Sequence, residues 1–208
     1  TEKATDAVRR MVQADSDVVS PLRPILEADA ARLLSYLSRI ADASLAASEP
    51  TSKFIISHKR KYMHPGKDAS VNVLTVQYLN ELEGYRTDAH SAAWMAHNVA
   101  GHAWDAFSHL WRNGASTLDQ MYETLQYNEV PQEVYAADLL GLANQGWVRE
   151  EAGTYRVTET GKKICDEAEA LTDKYFFAPW SCLSESELED LSNPSTQLRD
   201  GLKDLEVK

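Results

Sequence analysis

Gly101-His-Ala-Trp-Asp-Ala-Phe-Ser-His-Leu-Trp111, then Asn113-Gly-Ala-Ser116, then a run from Thr117 to Tyr127, a break at Asn128 to Pro131 and a run from Gln132 to Gln145, reads as three helices joined by short turns. Trp104, Phe107, Leu110 and Trp111 recur at three and four residues, which gives the first helix one apolar face. Ser116 is expected to cap the second helix, with Asp119 favoured near its positive end. Pro131 suits a first helical turn because it has no amide proton to satisfy. Tyr135, Leu139, Leu142 and Ala143 form the buried stripe of the third helix, and Gly146 ends it as a left-handed cap. Trp147 to Glu150, an Ala152-Gly153 turn and Thr154 to Thr158 complete a two-stranded hairpin. The expected fold is therefore mainly α, a winged helix-turn-helix with a small two-stranded β wing.

In its order of parts the chain resembles the MarR family of bacterial transcription regulators. Three local patterns carry the likeness: Leu118-Asp119-Gln120-Met121 opening the second helix, Gly146-Trp147-Val148 closing the third, and Val157-Thr158-Glu159-Thr160-Gly161-Lys162-Lys163 after the wing. A fourth, from Leu183 to Leu191, looks like that family's last dimerisation helix. The resemblance implies three regions: an N-terminal helical region over 1–100, a winged-helix domain over 101–163 and C-terminal dimerisation helices over 164–208. It also implies a homodimer that binds duplex DNA and answers to a small effector.

The 208 residues suffice for one full core, or for a small domain with an extended helical partner. No long apolar run and no basic-then-apolar leader is seen, so a cytoplasmic protein away from membranes is expected. Cys165 and Cys182 lack metal-ligand spacing and read as reduced packing residues. The net charge of −11 opposes a simple nucleic-acid reading, since duplex binding draws much of its affinity from Lys and Arg neutralising phosphates. Lys53, Lys59, Arg60, Lys61 and Lys67 are the local exception, a basic stretch with no acid before Asp68. It reads either as a solvated loop or as an anion or DNA-backbone contact.

Elsewhere the periodicities predict a weak helix over residues 4–15 broken at Asp15-Ser16-Asp17, and a long helix starting at Ser20-Pro21 with the stripe Leu22, Ile25, Leu26, Leu33, Leu37 and Ile40. Phe54-Ile55-Ile56 suits a strand or buried coil. Val71 to Leu82 predicts a helix ended by Gly84, with another starting after Thr87. Helices from Gly161 to Phe176 and from Ser184 follow, the latter broken at Asn193-Pro194.

His90 and His97 lie seven apart, as do His102 and His109, so each pair shares a face if helical. Three or four ligands at tight helical spacing are missing, which favours locally hydrogen-bonded histidines over a metal site. No glycine-rich phosphate loop or nucleophile elbow is present, so neither an enzyme nor a cofactor is expected. Tyr85, Trp94, Trp104 and Trp111, edged by His97 and His102, suit either core packing or a pocket for a small aromatic or carboxylate effector.

A DNA-reading winged helix places its third helix in the major groove and its wing along the backbone. Gln132 and Tyr135 are the candidate reading residues, Arg149 and Arg156 the wing cations, and Lys59, Arg60 and Lys61 the auxiliary contacts. The third helix has no Lys or Arg, and residues 101–175 hold thirteen Asp or Glu against six Lys or Arg. Two readings stay open: a dimeric regulator of MarR type, or a winged-helix scaffold that binds a small molecule or a protein instead of DNA.

Overall fold

The structure, a computed structural model, describes residues 2–206. They pack as two compact units, one formed by the residues up to Ala89 with those from Asp173 onward, the other by His90–Thr172. The terminal helical regions, distinguished in the sequence, are parts of one unit.

That helical unit holds α1 (Glu2–Val19), α2 (Glu27–Ala46), the short α3 (Phe54–His58), most of α4 (Val71–Met95) and, at the far end of the chain, α9 (Glu185–Glu206). Its core gathers Leu33, Leu37, Ile40 and Ala41 of α2, Leu82 of α4, and Leu183 and Leu191. Asp15-Ser16-Asp17 does not break α1, because Ser16 donates to the Val12 carbonyl and Gln13 to the Asp17 carboxylate along the helix surface. Ser20-Pro21 does not start α2; Pro21 and Pro24 sit in the connection, and Leu26 of the expected stripe is 74% exposed. Phe54-Ile55-Ile56 is helical rather than strand or coil. The Asp88 carboxylate accepts from the Ile55 and Ile56 amides at 3.0 Å each, satisfying N–H groups that a five-residue helix cannot pair itself.

Gly84 lies inside α4 rather than at its end. A Cβ there would stand 3.0 Å from Ile55 Cγ2 and 3.3 Å from the Ile56 amide nitrogen, so the glycine serves the close approach of α3 to α4. Thr87, expected as a cap, is mid-helical and donates to the Glu83 carbonyl. Pro194 is likewise inside α9. The missing amide costs one helical bond, yet Leu191 and Leu198 on either side hold the helix to the core.

The second unit is built around α5 (Gly101–Asn113), α6 (Leu118–Leu125) and α7 (Gln132–Asn144), with most of α8 (Glu159–Phe177) following a hairpin of β2 (Val148–Glu151) and β3 (Thr154–Val157). The sheet has three strands instead of two, because Ser116 and Thr117 form β1 and pair with β3 in the order β1-β3-β2. Thr117, not Ser116, caps α6. Its hydroxyl accepts from the Gln120 amide while the Gln120 side chain accepts from the Thr117 amide, a reciprocal capping box. Ala152 and Gly153 at the hairpin tip both have positive φ, as the tightest antiparallel turns require.

Gly146, at φ +75°, ends α7 through amide bonds from Gly146 to the Ala143 carbonyl and from Trp147 to the Leu142 carbonyl. The Thr158 hydroxyl donates to the Gly146 carbonyl and accepts from the Gly161 amide, joining the end of α7 to the start of α8. At Gly161 a Cβ would lie 2.1 Å from the Trp147 carbonyl oxygen, which only glycine permits. The unit's core runs from Trp104, Phe107 and Leu110 through Met121 and Leu125 to Tyr135, Leu139 and Leu142.

Candidate functional site

The outward side of α7 presents Glu133, Ala137, Leu140 and Asn144, all exposed and at helical spacing. Leu140 is 63% exposed. Tyr135, expected to reach outward, is instead fully buried, because it falls on the stripe shared with Leu139 and Leu142. Its hydroxyl accepts from the Asn128 side chain, and burial pushes its pKa upward. Gln132 is half-buried and donates to Asp119 of α6 at 2.6 Å, an internal tie across the helix-turn-helix. Asp138 is hydrogen-bonded to His102 of α5 at 2.5 Å, so this α7 carboxylate is engaged within the unit.

The hairpin places its cations differently. Arg149 and Arg156 are direct cross-strand partners and share one face, both exposed. Arg149 Nε stands 3.4 Å from Glu151, with both side chains more than half exposed, a contact that solvent screens heavily. Like charges directly opposed on a sheet are unfavourable unless an anion meets them. Beyond the hairpin, Lys162 and Lys163 of α8 pair with Asp166 and Glu167 one turn on.

The basic stretch folds into α3 and a π-helical turn at Lys59–Met63, in the other unit. Arg60 bonds Glu81 with Nε at 2.7 Å and Asp42 with Nη1 at 2.8 Å. Glu81 has no solvent exposure and also accepts from Gln77. Its partnership raises the Arg60 pKa against the opposing effect of burial. Lys59 is bonded to Glu83, whose carboxyl it holds below its usual range. Two of the three auxiliary cations are therefore neutralised by their own chain, while Lys61 is exposed beside the Tyr62 ring.

Among the aromatic candidates, Trp94, His97 and Trp104 come together. The Trp104 ring is 3% exposed, stacked against Trp94 and His97 at 5.8 and 5.9 Å between centroids. Phe107 meets it edge-on and Trp147 closes on His97 and Phe107. The Trp104 indole donates to His90 Nε2 at 3.2 Å, so that ring nitrogen is an acceptor. His90, Phe107 and Trp147 complete this group without belonging to the aromatic set that the sequence suggests; the contacts of His90 and Trp147 join separate elements and leave no local spacing signal. Trp111 lies apart and donates to Asp166. Tyr85 belongs to the helical unit, fully buried, its hydroxyl within bonding distance of the Glu49 and Tyr175 carbonyls and its pKa pushed up to about 12 by burial.

Among the described residues no group of three or more His, Cys, Asp or Glu converges as metal ligands, and no helix is long and apolar enough to cross a membrane. No curated protein and no solved structure matches the chain. A family described as a helix-turn-helix family matches residues 2–206, nearly the whole length. Such membership points to a DNA-binding regulator. The chain belongs to this helix-turn-helix family.

Proposed function

We propose that this chain is a winged helix-turn-helix transcription regulator of the MarR kind, acting as a homodimer and holding duplex DNA chiefly through its hairpin wing. The observation that carries the reading is the cross-strand pair Arg149 and Arg156, two exposed guanidinium groups on one face of the wing. A phosphate between or beside them relieves their mutual repulsion and accepts their hydrogen bonds in the geometry that arginine favours. Phosphate contacts position a protein on the duplex without specifying sequence. With Glu133, Ala137, Leu140 and Asn144 outward on α7, direct base reading is modest and affinity falls with salt. Response to a small effector belongs to the same reading.

Titration of labelled duplex DNA at several salt concentrations tests it. Arg149→Ala and Arg156→Ala each weaken binding across sequences and lower the salt slope by about 1. Binding with an unaltered slope in both variants removes the wing from the interface. A second reading rests on Leu140: an exposed leucine on an acidic, cation-free helix face suits a protein partner better than a phosphate backbone. Absence of DNA binding even at low salt decides for that reading.

A further inference from the structure

The helical unit contains a partly open cavity of about 120 Å³ lined by its own residues. Ala30 and Leu33 of α2, Thr75 and Val76 of α4, and Leu198 and Leu202 of α9 form its walls. The segment after α1 covers it with Leu22, Pro24 and Ile25. That cover lies tight on α9, because a Cβ at Gly201 would stand 1.9 Å from the Pro24 carbonyl oxygen.

The polar side chains of the lining, Asn72 and Thr75, both donate to backbone carbonyls. Asn72 donates to the Leu22 carbonyl at 2.5 Å, and the Thr75 hydroxyl donates to the Val71 carbonyl at 2.8 Å. Among the described residues none of those lining the cavity is charged. A water molecule inside would lack the two to four partners it needs, and a carboxylate would lose its hydration with no cation to replace it. Apolar cavities of ~150 Å³ stay dry and accept benzene. Val76, Leu79 and Leu202 also line this one while remaining 41%, 42% and 41% exposed, so an entrance from solvent exists beside it.

We infer that this cavity is a binding site for a small uncharged apolar molecule, of about the size of a single aromatic ring or a short branched alkyl group. As the effector site of a regulator it rests on the proposed function; as a binding site it does not, and its test contains no DNA, so either can fail without the other. The cavity shares no residue with the group of Tyr85, Trp94, His97, His102, Trp104 and Trp111 from which the sequence suggests an aromatic or carboxylate effector pocket, and it suits a different, uncharged class.

Calorimetric titration of the full chain with benzene, repeated with benzoate, tests the site. The expected result is saturable binding of one benzene per chain, with benzoate at least tenfold weaker. Ala30→Leu fills the cavity from α2 and abolishes the binding. Should that variant not fold, Val76→Phe fills it from the half-exposed rim and gives the same loss with the melting transition retained. No saturable heat up to the solubility of benzene overturns the inference. So does undiminished binding in a folded filled variant, or benzoate binding as tightly as benzene. If benzene binds only on dilution, as a dimer dissociates, a second copy of the chain occupies the cavity and the inference is likewise overturned.

Discussion

Removing the Arg60 guanidinium would strand Glu81, a carboxylate with no solvent exposure whose other partner is the neutral amide of Gln77. Arg60→Met is expected to cost about 3 kcal/mol, the low end for breaking a buried pair because Arg60 keeps partial solvent access. The double variant Arg60→Met with Glu81→Met should recover part of that loss in denaturant unfolding. A single-variant cost below that of an ordinary surface substitution would place Glu81 in contact with water. Cys165, 2% exposed and with its thiol pushed up to about 12 by burial, should resist alkylation in the native protein and react only on unfolding, as mass spectrometry would record. Lys59 and Arg60 show why single residues misled: their charges read as a solvated run, while their partners Glu83 and Glu81 lie more than twenty positions away and leave no local trace. Tyr135 was legible twice over. Its spacing with Leu139 and Leu142 placed it in the core, and that periodic signal outweighs its suitability for a groove.

Elements with strong local periodicity emerged from the sequence with little error. The runs for α5 and α7, the left-handed Gly146 and the Ala152-Gly153 turn are each fixed by neighbours within a few residues. Gly84, Asn193-Pro194 and Asp15-Ser16-Asp17 have propensities that suit breaks, but at the first two sites packing against distant elements overrides a cost of about 1 to 3 kcal/mol. The sign of a larger side chain at Gly84 follows. Gly84→Val should destabilise the unit by about 1–3 kcal/mol through overpacking against Ile55 and Ile56, although valine and glycine alike are tolerated within helices. A variant as stable as the parent would mean that α3 yields without cost. The α2–α9 packing carries its own pH response. Arg39 bonds Glu187 and holds its carboxyl down to about 2, so this contact is intact above the ordinary carboxylate range and is lost as pH falls toward 2. In Arg39→Gln the Glu187 titration, followed by NMR, should move up toward its usual position.

At the scale of the whole molecule the helix-turn-helix family was legible in the order of helices and turns, whereas the division into two units was not, since residues from both ends of the chain meet in one of them. Exposed apolar side chains on that helical unit, among them Met11 and Val18 of α1 and Leu188 and Leu205 of α9, favour association of two copies. Light scattering at micromolar concentration should give about twice the chain mass; a strict monomer would rule the dimer out. The net charge of −11 sets a second expectation. Any duplex affinity should be low, and its decline with salt should scale with the few phosphates that segregated cations such as Arg149 and Arg156 neutralise, about one unit of slope each.

Thr117 is at once the last residue of β1 and the cap of α6. Its pairing with Thr154 ties the hairpin to the first turn of that helix, so neither can open alone without releasing hydrogen bonds held by the other. Fraying at the hairpin and fraying at the helix start are thereby one event. In hydrogen exchange, the amides of Thr117 and Gln120 should share a single opening free energy, and a substitution such as Thr117→Val, which keeps the strand's β-branched shape but deletes the hydroxyl acceptor, should lower the protection of both together.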